Sequence, residues 1–475
     1  VYAAFRDGLR LLGLDAENYG SPGWNPLGSL AGPGDRVLLK PNAVLDRNLS
    51  GGDPFAVITH PSVMRAVLDY VYIALRGKGS VVIADAPQFD SDFDAWLSVT
   101  RLDSLKAFYR EAAGMEIGVL DLRRLVARFD PGRGIYSAED LETRNGDPLG
   151  YVVVDLGRDS LLSGLEHLDR LYGADYDCGF TREHHSGGRH EYCISGTVLR
   201  SDLLISLPKL KTHRKVGVTL GIKGLVGING DKNYLAHYRV GPPCSGGDEY
   251  PDSVGTLRKA SRASRRRMSD ALLAPRKPAL EKAYVLLSRM RRGVGRIARL
   301  LGLLGPPSEA EAIDCGDWHG NDTAWRMAAD LLRIALYATP EGALQAGRAR
   351  RLLSVIDGVV GGEGEGPLSA SPRRDGVLVI GSDPVAVDIA ASEYMGLSHL
   401  AVPMLRHFSE GLSPWSGYPG DAAVRVLSPG SSRELPLDGF ARAERPFRLP
   451  AGWCSVRPGE QPGGQEGEGS VHQQE

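Results

Sequence analysis

No run of apolar residues here approaches the roughly 18 that a bilayer-spanning helix needs, and no signal-peptide pattern is present. Cysteine is scarce: Cys178, Cys193, Cys244, Cys315 and Cys454 are scattered, with no C-x-x-C pair. That spacing argues against a disulfide framework or a zinc ribbon and fits a reducing cytoplasm. It also argues against an iron–sulfur cluster held by this chain alone. Net charge is nearly absent, at −2 for 475 residues, so no nucleic-acid partner is expected. No internal repeat is found. Val1 in place of Met is the start expected of a fragment.

What is present is an ordinary globular composition, 42% hydrophobic and 24% charged. Arg36–Lys40 and Ser80–Ala84 read as strands. The segment opening at His60-Pro61 reads as a helix, with proline in its first turn. Strand, helix, strand in that order is a βαβ unit with a parallel pair. Further strands are expected at Ile117–Leu120, Tyr151–Leu156, Asp202–Leu207, Arg351–Asp357 (leading into a glycine-rich loop) and Val377–Ile380, and further helices at Leu102–Ala113, Val216–Val226, Thr323–Tyr337 and Pro384–Met395. The fold class is therefore α/β: a mostly parallel sheet flanked by helices.

Two segments stand apart. Residues 252–308 carry fourteen Lys and Arg between Arg258 and Arg299, opposed there only by Asp270 and Glu281. They read as a basic helical insertion into a discontinuous core of 1–251 and 309–450. Two readings stay open for it: a peripheral contact with an anionic membrane face or a protein, or a solvated helical pair packed on the body. Residues 458–475 are mostly Gly, Gln and Glu and read as a disordered tail.

The chemistry concentrates where strands end. Lys40-Pro-Asn42, Asp85, Lys209-Leu-Lys211-Thr-His213, and Asp357 with Glu363 and Glu365 each follow an apolar run. In an open α/β sheet, the carboxyl ends of parallel strands face one crevice, so these groups are expected to converge there. Lys40, Lys209, Lys211, Lys223 and Lys232 suit a phosphate or carboxylate, and nearby glycines would let backbone N–H groups approach it. Asn42, Asn229 and Asn233 suit hydroxyls. Asp85, Asp231 and His237 complete the expected ligand set. Lys209 and Lys211, one residue apart, are expected to point the same way as a cationic grip, with Leu210 in the core.

His213 is the candidate acid–base group. Asp357, Glu363 and Glu365 are candidates to position hydroxyls or a divalent cation. No H-E-x-x-H spacing supports a metal. The histidines at 184, 185 and 190 are expected on the surface. Neither nucleotide signature is met: 224–233 has no Walker A pattern, and Gly362-Glu-Gly-Glu-Gly366 is followed by Pro367 rather than a helix.

VLLKPN (37–42), THPSV (59–63), DLLISLPKLKTH (202–213), GIKGLVGINGDKN (221–233), GGDEYP (246–251), DTAW (322–325), SVIDGVVGGEGEGP (354–367) and GSDPVAVD (381–388) resemble the family called domain of unknown function 362, over about residues 1–410. The long form with GINGDKN and GGDEYP is similar to members found beside exopolysaccharide genes. Some members carry ferredoxin-type cysteine motifs; this chain has none, so no iron–sulfur cluster is expected. The resemblance implies a shared fold and a shared polar site. With the residues, it leaves two functions in play: an enzyme acting on an anionic small molecule, such as a sugar phosphate or carboxylate, or a non-catalytic binding or scaffold protein.

Overall fold

A computed structural model describes residues 1–127, 140–173, 177–273, 313–429 and 433–456. The disordered-tail reading for 458–475 and residues 274–308 of the basic insertion lie outside these.

The centre is one sheet. Its strands, in chain order, are β1 (Arg36–Pro41), β2 (Ser80–Asp85), β3 (Ile117–Asp121), β4 (Leu203–Leu207), β5 (Lys209–His213), β6 (Gly217–Val218), β7 (Arg351–Glu365), β8 (Ser369–Arg373) and β9 (Val377–Gly381). Strands β3, β2, β1, β4 and β7 lie side by side, all parallel. β8 and β9 pair antiparallel with β7. From β1 the chain builds outward through β2 and β3, then returns to lay β4 on the other side of β1. That reversal opens a crevice at the carboxyl ends of β1 and β4.

Alternation along the strands explains why both faces are covered. Val37, Leu39, Leu203, Ile205 and Leu353 join one buried cluster; Leu38, Leu204 and Leu352 join another. On the first face lie Tyr2–Leu11 (α1), Pro61–Leu75 (α2) and Leu102–Ala113 (α3). On the second lie Leu220–Gly224 (α4), Ala324–Tyr337 (α5) and Pro384–Tyr394 (α6). Sequence punctuation sets the helix starts. The His60 side chain accepts the Ser62 N–H ahead of Pro61, and Asp383 accepts from Val385 and Ala386 ahead of Pro384.

Three local expectations change. Tyr151–Asp155 is a strand outside the main sheet, paired antiparallel with Glu191–Ser195. The segment 216–226 is not one helix but β6, α4 and a following 3₁₀ turn. The glycine-rich stretch after Asp357 is not a loop: β7 runs on through it for 15 residues in all and turns back as β8. Glycine is needed there because a Cβ on Gly362 would lie 2.4 Å from the Ala56 carbonyl oxygen.

The described start of the basic insertion, helix Thr256–Leu273, packs inward. Arg266 pairs with Glu249 at 2.8 Å, and Arg262 is buried beside Asp314. Those arginines therefore do not present a free basic face. The histidines at 185 and 190 are also buried, their Nδ1 atoms 3.3 Å apart, and the His185 Nε2–H donates to the Tyr234 carbonyl. Burial arises because a turn follows helix Cys178–His184 and folds the pair back onto Tyr192.

Candidate functional site

Two strand ends build the first wall. The register pairs Leu39 with Ile83, so the ends of β1 and β2 bring Lys40 and Asp85 together. Lys40 Nζ lies 2.6 Å from Asp85 Oδ1, with both side chains almost wholly buried. Asp85 Oδ2 accepts the Ala43 N–H at 2.7 Å. Gly227 lies directly against this pair: a Cβ there would come within 1.6 Å of Asp85 Oδ1. Only a hydrogen fits.

β4 and β5 run end to end along β7, interrupted by Pro208. Leu203 faces Arg351 and Lys209 faces Asp357, the same offset of 148 residues. Lys209 Nζ meets Asp357 Oδ2 at 2.6 Å, and both side chains have zero exposure. Asp357 also accepts the His60 and Val359 N–H groups, so its oxygens are satisfied inside the protein. The register then shifts, and Lys211 faces Gly362. Lys211 Nζ donates to the carbonyls of Val57 (2.8 Å) and Pro367 (3.2 Å) and, among the described residues, meets no carboxylate. Asn42 Nδ2 donates to the same Val57 oxygen. Leu210, between the lysines, is buried in the apolar cluster.

The GIKGLVGINGDKN segment supplies the opposite wall. Asp388 of α6 accepts the Gly221 and Ile222 N–H groups at 2.7 and 2.8 Å, fixing the start of α4. Burial pushes the Asp388 carboxyl up to about 7. α4 then presents Lys223, which is 8% exposed. Lys232 donates to three backbone carbonyls, of Ala86, Val226 and Asn229. His213 Nδ1 accepts the Lys215 N–H, and His237 Nδ1–H donates to the Leu235 carbonyl. The two imidazoles are thus held in opposite tautomers.

These walls enclose a cavity of ≈ 390 Å³. Six basic side chains line it, Lys40, Lys211, Arg214, Lys215, Lys223 and Lys232, against three acidic ones, Asp85, Asp317 and Glu365. Burial holds Lys211, His213 and His237 well below their ordinary values, and crowding of positive charge adds to it. Burial, then the charges of Lys232 and Lys215, lowers Lys223 to about 7. Lys232 is lowered to about 7 by burial, with Lys40 and Arg123 adding to it and Asp85 opposing.

Nine residues singled out from the sequence line this cavity: Lys40, Asn42, Asp85, Lys211, His213, Lys223, Lys232, His237 and Glu365. Six do not. Lys209 and Asp357 are paired with each other. Glu363 is turned toward Arg373 and the backbone N–H of Arg448. Asn229 bridges the Cys193 N–H and the Asp231 carbonyl. Asp231 accepts the Asn233 N–H, and Asn233 Oδ1 accepts the Asp177 N–H. Glu365 sits at the rim, 2.8 Å from Arg214, and accepts the Ala451 N–H.

Sequence reasoning passed over Arg214, Lys215, Asp317 and Asp388. The first two adjoin His213 and could have been found by extending that motif. Asp317 reaches Lys215 (3.0 Å) from about a hundred residues away, and nothing local marks it. Among the described residues, no three of His, Cys, Asp and Glu converge as a metal-ligand set, and no helix is long and apolar enough to cross a membrane.

A family model described as Domain of unknown function (DUF362) matches residues 142–393, just over half the chain. That span holds both GINGDKN and GEGEGP but not the β1 and β2 strand ends that complete the cavity. No curated protein and no solved structure matches the chain.

Proposed function

The chain belongs to the DUF362 family, a description that carries no reaction, and from the cavity we propose an enzyme that binds and transforms a small organic anion. One observation carries this reading. Lys211, Lys223 and Lys232 are almost wholly buried around the cavity, and among the described residues none meets a carboxylate. A buried amine without a counterion loses its charge, and a bound carboxylate or phosphate would restore it. His213 and His237, held as opposite tautomers, would supply a proton donor and an acceptor at the same cavity.

Sugar phosphates of cell-surface polysaccharide metabolism and small carboxylates are the classes of anion this suits, and the cytoplasm is the compartment we assign. The scaffold alternative draws less support, because Arg262, Arg265 and Arg266 of the basic helix are engaged with Asp314 and Glu249.

Thermal unfolding in increasing inorganic phosphate tests the proposal. Phosphate should raise the melting temperature by mass action, whereas equal ionic strength of chloride should not. An equal response to both salts would remove the anion site.

A further inference from the structure

The cavity lysines differ in how their nitrogens are engaged. Lys40 is paired with Asp85, and Lys215 lies 3.0 Å from Asp317. Lys211 donates to two carbonyls and Lys232 to three. An ammonium carries three N–H donors, and Lys232 has an acceptor for each of them, so its nitrogen is fully engaged. Lys223 is different. Among the described residues, its Nζ has no carboxylate and no hydrogen-bond acceptor, although the side chain is nearly as buried as the others and lines the same cavity.

We infer that Lys223 is a nucleophilic amine that forms an imine with a small anion bearing an aldehyde or ketone. This rests on the anion reading above and names its substrate class: a carbonyl compound carrying a carboxylate or phosphate. A nucleophilic amine must keep its lone pair, and an ammonium has none. Among the described residues, no acceptor engages the Lys223 nitrogen. Burial, and then the positive charges of Lys232 and Lys215, disfavour its protonation, which leaves a large fraction as free amine near pH 7.

The chemistry balances within the cavity. The amine lone pair attacks the carbonyl carbon and the C–N bond forms, while the carbonyl π pair moves onto oxygen. The two amine protons pass to that oxygen, which leaves as water as the C=N bond closes. His213 and His237 both lie within the electrostatic reach of Lys223 and line the same cavity, so they are placed to relay those protons. Asp388 holds the helix that presents Lys223 through the Gly221 and Ile222 N–H groups, which makes it a positioning residue for the amine.

Reductive trapping tests this on the full chain. Sodium glyoxylate, a carboxylate with an aldehyde, is added with cyanoborohydride at pH 7, and the adducts are located by peptide mass spectrometry. An ordinary lysine has roughly one amine in a thousand unprotonated at that pH. Lys223 should therefore be labelled at least ~10-fold faster than exposed lysines. Excess inorganic phosphate should slow labelling at Lys223 and leave surface labelling unchanged. Lys223→Met, checked for cooperative unfolding, should lose the fast adduct alone.

Labelling spread evenly over exposed lysines, or centred on Lys211 or Lys232, would overturn the assignment. If phosphate stabilises the fold while Lys223 stays unlabelled, the anion site survives and the imine falls. If Lys223 is labelled fast but phosphate neither slows it nor stabilises the fold, the anionic half of the proposal is overturned.

Discussion

Lys209 and Lys211 stand two residues apart on one strand, and both are wholly buried. Lys209 is neutralised by Asp357 across the sheet, while among the described residues Lys211 reaches only backbone carbonyls. The first belongs to the architecture of β5 against β7. The second lines a cavity whose positive charge is not balanced from within. Burial alone thus does not distinguish a structural lysine from a functional one; the origin of the counter-charge does. Lys40 combines the two situations, since it is paired with Asp85 and also faces the cavity.

The sharpest way to break this comparison is to remove the paired lysine. Lys209→Met leaves Asp357 as an isolated charge in the core and should cost about 3–5 kcal/mol of stability. Denaturant unfolding reads this directly. Adding Asp357→Asn should recover part of the loss, and two losses that simply add would mean that the ion pair is not the cause.

Next in size is Gly227→Ala. Its methyl group would overlap Asp85 Oδ1, so the strand ends of β1 and β2 must shift, at about 1–3 kcal/mol, the usual range for overpacking. A melting temperature like the parent protein's would show that the turn yields freely.

Lys211→Met should behave the opposite way to Lys209→Met. No carboxylate is stranded, so ligand-free stability should change by no more than about 1 kcal/mol. Phosphate-induced stabilisation should fall by about 1–3 kcal/mol, the contribution of a charge-assisted hydrogen bond. A large ligand-free loss with phosphate stabilisation retained would move Lys211 into the structural class.

The last effect is a slope in pH. Lys223 has a folded value of about 7 against an ordinary 10.5. Between these values the unfolded chain binds a proton that the native protein does not, so stability rises with pH across that window. Below about 7 both states are protonated, and the cost of the buried charge is fully present. Lys223→Met should flatten the rise between pH 7 and 9, as read by unfolding at several pH values. An unchanged slope would assign the titration to another group.

Much of the frame was legible in the sequence because its signals are local. Apolar runs placed β1, β2 and β4, and Pro61 and Pro384 marked helix starts through a fixed backbone angle. The polar strand ends pointed to the crevice edge, and six of the residues named there line one cavity together with Lys223, Lys232 and His237. The glycines after Asp357 misled, because glycine reads as a loop signal whether it serves a turn or, as at Gly362, the close approach of another chain segment.

Composition, spacing and strand alternation were enough to determine an α/β chain with a lysine-rich edge, since burial on alternate faces follows from period two alone. Which lysine would be silenced and which left for a ligand was decided only in three dimensions. The partner of Lys209 lies 148 residues away and is set by register, while Asp388 holds α4 from 167 residues away. Charge balance in a core depends on distance through space, and the order of residues along the chain carries that distance only after the sheet has formed.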